Sequence, residues 1–73
     1  MNYFVWYDES AQKSATEKIQ DAKAAYIGKF AITPNLVLVN SVDHVEIGGM
    51  LIRSETNIQR NNFWLAHVES LWD

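Results

Sequence analysis

At 73 residues the chain has the size of one domain, 48% of it apolar and 12% aromatic, with no room for a separate catalytic module. It contains no cysteine, which excludes a disulfide framework and a thiolate zinc site; so short a domain must then rely on dense aromatic packing or on association. A formal net charge of −3, with Lys13, Lys18, Lys23 and Lys29 spread among acids and Arg53 and Arg60 far downstream, argues against a general nucleic-acid binder.

Residues 2–7, Asn-Tyr-Phe-Val-Trp-Tyr, predict a first strand of aromatic and β-branched types. Asp8 and Glu9 interrupt this apolar run, which therefore does not resemble a secretory leader, and no run approaches a membrane span. The expectation is a cytoplasmic protein with no membrane segment.

Asp8-Glu9-Ser10 signals the change to helix. Ser10 can act as N-cap, and Ser14 with Glu17 makes a second capping box. The earlier start is favoured because Ala11 already joins an apolar stripe of Ala11, Ala15, Ile19, Ala22, Tyr26 and Phe30. Lys13, Glu17, Lys18, Gln20, Asp21 and Lys23 fall mostly elsewhere, on a solvated face. Gly28 is the expected C-cap, followed by a loop over Ala31–Asn35 that holds the only proline.

Leu36–Asn40 predicts a second strand. Strand, crossover helix and strand make a right-handed parallel βαβ unit, with room for a later strand between the two. Ser41–Gly49 reads either as a short helical turn, capped by Ser41 and ended by Gly48-Gly49, or as an extended segment, and the turn is favoured. Met50–Thr56 reads as a third strand and Phe63–Val68 as a fourth, the two forming an antiparallel hairpin across a polar connection broken only by Ile58. Glu69–Asp73 is a tail bearing Leu71 and Trp72. The predicted architecture is a single small α+β domain, β-α-β-(short turn)-β-β, with one long helix packed on one face of a four-stranded mixed sheet.

His44-Val45-Glu46 and His67-Val68-Glu69 are the same tripeptide twice. On strands each copy would offer an imidazole and a carboxylate on one face, and two facing copies would complete a metal site. A tripeptide recurring once is also what chance supplies, so neither metal nor cofactor is expected. Asp43, His44 and Glu46 suggest an acid–base cluster, yet none of the serines has a nucleophile-elbow context and Gly48-Gly49 is no phosphate loop. No enzymatic activity is expected.

The strand candidates Tyr3–Tyr7, Leu36–Val39 and Phe63–Val68 are apolar on both faces, whereas one helix shields only one side. A second copy is the simplest cover. The leading expectation is therefore a non-enzymatic interaction or accessory protein, a homodimer through an apolar sheet face or edge. Tyr3, Trp6, Tyr7 and Trp64 are the expected self-association residues, and Arg53, Arg60 and Asn62 the expected site for another protein. The alternative is a nucleic-acid-associated protein using Arg53, Arg60 and Trp64 of the last hairpin. A minimal metal enzyme using His44 and His67 ranks below both.

Overall fold

The structure is a computed structural model that describes residues 2–69. The expected tail residues Leu71 and Trp72 lie outside the described residues. Four strands, β1 (Phe4–Tyr7), β2 (Leu36–Val39), β3 (Leu51–Ser54) and β4 (Asn62–Ala66), form one sheet beside one helix, α1 (Ala15–Phe30). The strand order is β1-β4-β2-β3. β4 runs antiparallel to both its neighbours, and β3 runs parallel to β2. The α+β class, the mixed sheet and the helix packed on one face agree with expectation.

One pairing does not. β3 and β4 form no hairpin, because β3 docks on the outer side of β2 while β4 inserts between β1 and β2. The connection between them must cross the end of β2. It is held there by Glu55 N–H donating to Val39 O at 2.9 Å and by Asn40 Nδ2 donating to Ile58 O at 3.0 Å. Central placement explains β2: all four of its residues are buried, as a strand covered on both faces requires.

The helix begins at Ala15 rather than near Ser10. Asp8 already accepts the Ser10 N–H at 2.9 Å in a local turn. Ser14 and Glu17 instead cap reciprocally, the Ser14 hydroxyl accepting Glu17 N–H and the Glu17 carboxylate accepting Ser14 N–H. The helix also runs through Gly28 and ends at Ala31, a residue in the left-handed region at φ 57°. Ile19, Ala22 and Tyr26 of the apolar stripe pack on Val37, Val39, Phe63 and Leu65 of the sheet. Phe30, at the stripe's end, stays 46% exposed.

Between β2 and β3 the expected short turn is a single 3-10 turn, Ser41–Asp43. Asn40, not Ser41, caps it, its side chain accepting the Val42 N–H at 2.9 Å. The turn closes at Asp43, well before the glycines, of which Gly49 adopts φ 84°.

The face opposite the helix is less open than the apolar strands imply. Ile58, from the β3–β4 connection, is 1% exposed and packs with Leu36 and Leu38. Tyr3, Leu51, Trp64 and Val68 close around that cluster. The chain thus roofs the β2 part of this face itself. The described residues leave the β1 part uncovered, with Val5 51% and Tyr7 58% exposed.

Candidate functional site

β1 places its side chains on alternate faces. Phe4 and Trp6 join the helix-side core, whereas Tyr3, Val5 and Tyr7 point to the opposite side. Of the residues expected at a self-association surface, Tyr3, Tyr7 and Trp64 therefore share a face, and Trp6 is separated from them. Trp6 is half-buried against the core cluster, and its indole Nε1 is enclosed without a hydrogen-bond partner among the described residues.

Tyr3 and Trp64 pack with ring centroids 5.7 Å apart and planes tilted by 46°. The pairing register sets Leu38 beside Trp64 and Trp64 beside Val5, so one apolar row runs across the sheet to its β1 margin. Val5 was not among the expected contact residues, although its place between Tyr3 and Tyr7 at a period of two carried the signal. At the end of the row, the Tyr7 hydroxyl donates to Glu9 Oε2 at 2.7 Å. This bond, with desolvation and the nearby negative charge, holds the Tyr7 phenol above the usual tyrosine range.

The backbone of β1 adds to that exposure. Asp8 N–H donates to Asn61 O at 3.0 Å, continuing the β1–β4 register by one residue. Antiparallel strands alternate residues that bond across the pair with residues that bond outward. Phe4, Trp6 and Asp8 therefore turn their amides toward β4, and Tyr3, Val5 and Tyr7 turn theirs to the sheet margin. β1 is terminal in the strand order, so among the described residues these groups meet no neighbouring strand.

The candidates for an outward partner site are divided. Arg60 and Asn62 adjoin, Asn62 Nδ2 donating to Arg60 O at 3.1 Å. Arg53 lies on β3, with β2 between it and β4. Each arginine faces a carboxylate: Arg53 Nη2 lies 3.7 Å from Glu55 Oε1, and Arg60 Nε donates to Asp43 Oδ1 at 3.4 Å.

Asp43 belongs to a buried polar network. Only 5% exposed, it accepts the Asn61 backbone N–H at 2.7 Å. Asn61 sits in the left-handed region at φ 66°, and its side-chain Oδ1 accepts from Lys18 Nζ at 3.0 Å. Lys18 is 6% exposed, contrary to the solvated face expected for it. These bonds tie the first turn of α1, the 3-10 turn and the start of β4 to one another. The network is a fastening, because its groups are spent on each other.

The two His-Val-Glu copies do not meet. His44 follows the C-terminal end of β2, whereas His67 follows β4 at the other end of the sheet and donates from Nδ1 to Thr33 O at 2.9 Å. Among the described residues no three His, Cys, Asp or Glu side chains gather as metal ligands would. Asp43 turns inward, away from the proposed acid–base cluster. His44 instead pairs with Ser54, Nδ1 to Oγ at 2.8 Å, with Glu46 Oε2 3.4 Å from Nε2.

Ser54 also lines a surface depression of about 280 Å³ with Asn40, Ser41, Glu55 and Thr56. Carboxylate, imidazole and hydroxyl in this order resemble a nucleophile relay, which needs exclusion of water and donors for an oxyanion. Here the His44 and Glu46 side chains are 36% and 88% exposed, so the contact reads as a clasp between the 3-10 turn and β3. The sequence did not reveal it, since Ser54 and His44 meet only through the parallel docking of β3.

No helix among the described residues is long and apolar enough to cross a membrane. No family model, no curated protein and no solved structure matches this chain.

Proposed function

We propose that this chain is an interaction protein that acts by binding, and that its first partner is a second copy of itself. The supporting observation is the β1 margin, where Val5 at 51% and Tyr7 at 58% exposure adjoin the Tyr3–Trp64 pair. Apolar surface gathered beside an open strand edge is a feature that soluble monomers avoid or block. Residues 2–7 contain neither a charge nor a proline that would protect this edge. Association also supplies the stability that a short chain without disulfides lacks.

The nucleic-acid reading has less support, because Arg53 and Arg60 each face a carboxylate and the hairpin that would present them does not form.

The test is thermal unfolding across a concentration series. Linkage of folding to association raises the Tm as protein concentration rises. Val5→Lys, which puts a charge on an exposed position of the strand, should abolish that rise while leaving the folded monomer intact. A Tm independent of concentration in the parent chain would refute the proposal.

A further inference from the structure

We infer that the two copies join edge to edge rather than face to face. β1 of one copy pairs antiparallel with β1 of the other about a two-fold axis at Val5, fusing two four-stranded sheets into one continuous sheet. The inference rests on the self-association proposed above and names its geometry.

Three features of the strand select this arrangement. The first is hydrogen bonding. An axis at Val5 sets Val5 opposite the partner copy's Val5, and Tyr3 opposite its Tyr7. These are the residues whose amide groups face outward, as fixed by the Asp8 N–H bond to Asn61 O. Each becomes a bonded pair, so the open edge is satisfied without disturbing the β1–β4 ladder.

Charge is the second. Residues 2–7 are uncharged, whereas Asp8 and Glu9 follow immediately in a chain of net charge −3. Antiparallel pairing sets Asp8 opposite Asn2 and sends the two acid pairs to opposite ends of the junction. Parallel pairing would stack Asp8 on Asp8 and Glu9 on Glu9, where like charges directly opposite one another destabilise a sheet.

The third is side-chain continuity. The row Leu38, Trp64, Val5 continues across the axis into Val5, Trp64 and Leu38 of the second copy, and Tyr3 meets Tyr7 on the same face. The other sheet edge offers no such match. β3 carries Arg53 engaged with Glu55, and its Ser54 is tied to His44. Ile58 already occupies the β2 part of the face that a face-to-face dimer would need.

The chain has no cysteine, so single-cysteine variants report the geometry directly. A bonded antiparallel pair holds its Cα atoms about 5.5 Å apart, within disulfide reach. Tyr7 and its counterpart would lie roughly 14 Å apart along the strand, four residues at about 3.4 Å each. Under mild oxidation Val5→Cys should form a covalent dimer, and Tyr7→Cys alone should give on the order of tenfold less. An equimolar mixture of Tyr3→Cys and Tyr7→Cys should cross-link between the two variants.

Cross-linking of Tyr3→Cys and Tyr7→Cys each to itself, as efficiently as Val5→Cys, would indicate parallel strands and overturn the inference. Failure of Val5→Cys to cross-link while light scattering still finds a dimer would overturn the edge geometry and leave self-association standing. A monomer by scattering at all concentrations would remove both. Val5 and Tyr7 are exposed, so their cysteines displace no core side chain. Tyr3→Cys removes a half-buried ring beside Trp64 and is used only once circular dichroism shows it folded.

Discussion

Replacing Asp43 tests whether the buried polar network holds the first turn of α1, the 3-10 turn and the start of β4 together. Its Oδ2 accepts the Asn61 N–H at 2.7 Å, and its Oδ1 lies 3.4 Å from Arg60 Nε. Asp43→Ala leaves the Asn61 amide without an acceptor at a half-buried position, which costs about 1–3 kcal/mol. The Arg60 contact adds little, because that side chain is 56% exposed and its charge is solvated. A loss of about 1–3 kcal/mol is therefore expected, with Tm falling by roughly 5–20 °C for a domain of this size.

Asp43→Asn keeps one oxygen to accept the amide and should lose about 1 kcal/mol. Arg60→Ala should lose less than about 0.5 kcal/mol. Urea unfolding at fixed protein concentration measures all three, with midpoints moving and slopes constant. If Asp43→Ala cost no more than Arg60→Ala, the carboxylate would not be what orders Asn61.

Further expectations follow from the helix and from the aromatic side chains. A Cβ at Gly28 would meet no neighbour, so Gly28→Ala should stabilise by about 0.5–1 kcal/mol, while Ala31→Gly should gain by relieving the left-handed C-cap. Both are read as shifts in urea midpoint. Trp6→Ala should cost about 3 kcal/mol, the lower end for buried aromatics because Trp6 is only half-buried. Trp6→Phe should cost much less, since it also deletes the unpartnered indole N–H.

Tyr7 should ionise at higher pH than free tyrosine, and Glu9→Gln should lower its midpoint, followed by phenolate absorbance. A raised folded-state value means that this contribution to stability is complete below the ordinary tyrosine pKa and disappears as pH rises through the folded one. The Lys13–Asp21 pair behaves alike, its ammonium raised chiefly by the hydrogen bond to Asp21. Both effects therefore belong to alkaline pH and leave the neutral range unchanged.

What sequence reasoning recovered was mostly local or periodic. Ile19, Ala22 and Tyr26 at spacings of three and four marked the buried helix face, and unbroken Leu36–Val39 marked a central strand. Its errors arose where two local signals competed. Ser10 and Ser14 were both plausible caps, and Asp8 had already engaged Ser10. Gly28 looked like a stop, yet the helix continues through it to Phe30, a single glycine costing a helix only about 1 kcal/mol.

Other features were unreadable because they are long-range. A strand run says what it can bury and not which strand lies beside it, so the parallel docking of β3 was missed. With it went the meeting of Ser54 and His44 and the reason for Ile58. A lone isoleucine in a polar connection looked incidental, and it is the roof over Leu36 and Leu38. Lys18 looked solvated because the side chain it bonds, Asn61, lies 43 residues away. The open β1 edge was half visible: the uncharged apolar run could be read, whereas its place at the sheet margin could not.

The most direct test of the central claim is the molar mass of the untagged chain in solution, by light scattering over a wide concentration range. The account predicts a mass twice the 8.4 kDa of one chain at high concentration, falling toward one chain on dilution and remaining there for Val5→Lys. A mass of one chain at every concentration would contradict it, as would a dimer that Val5→Lys leaves unchanged.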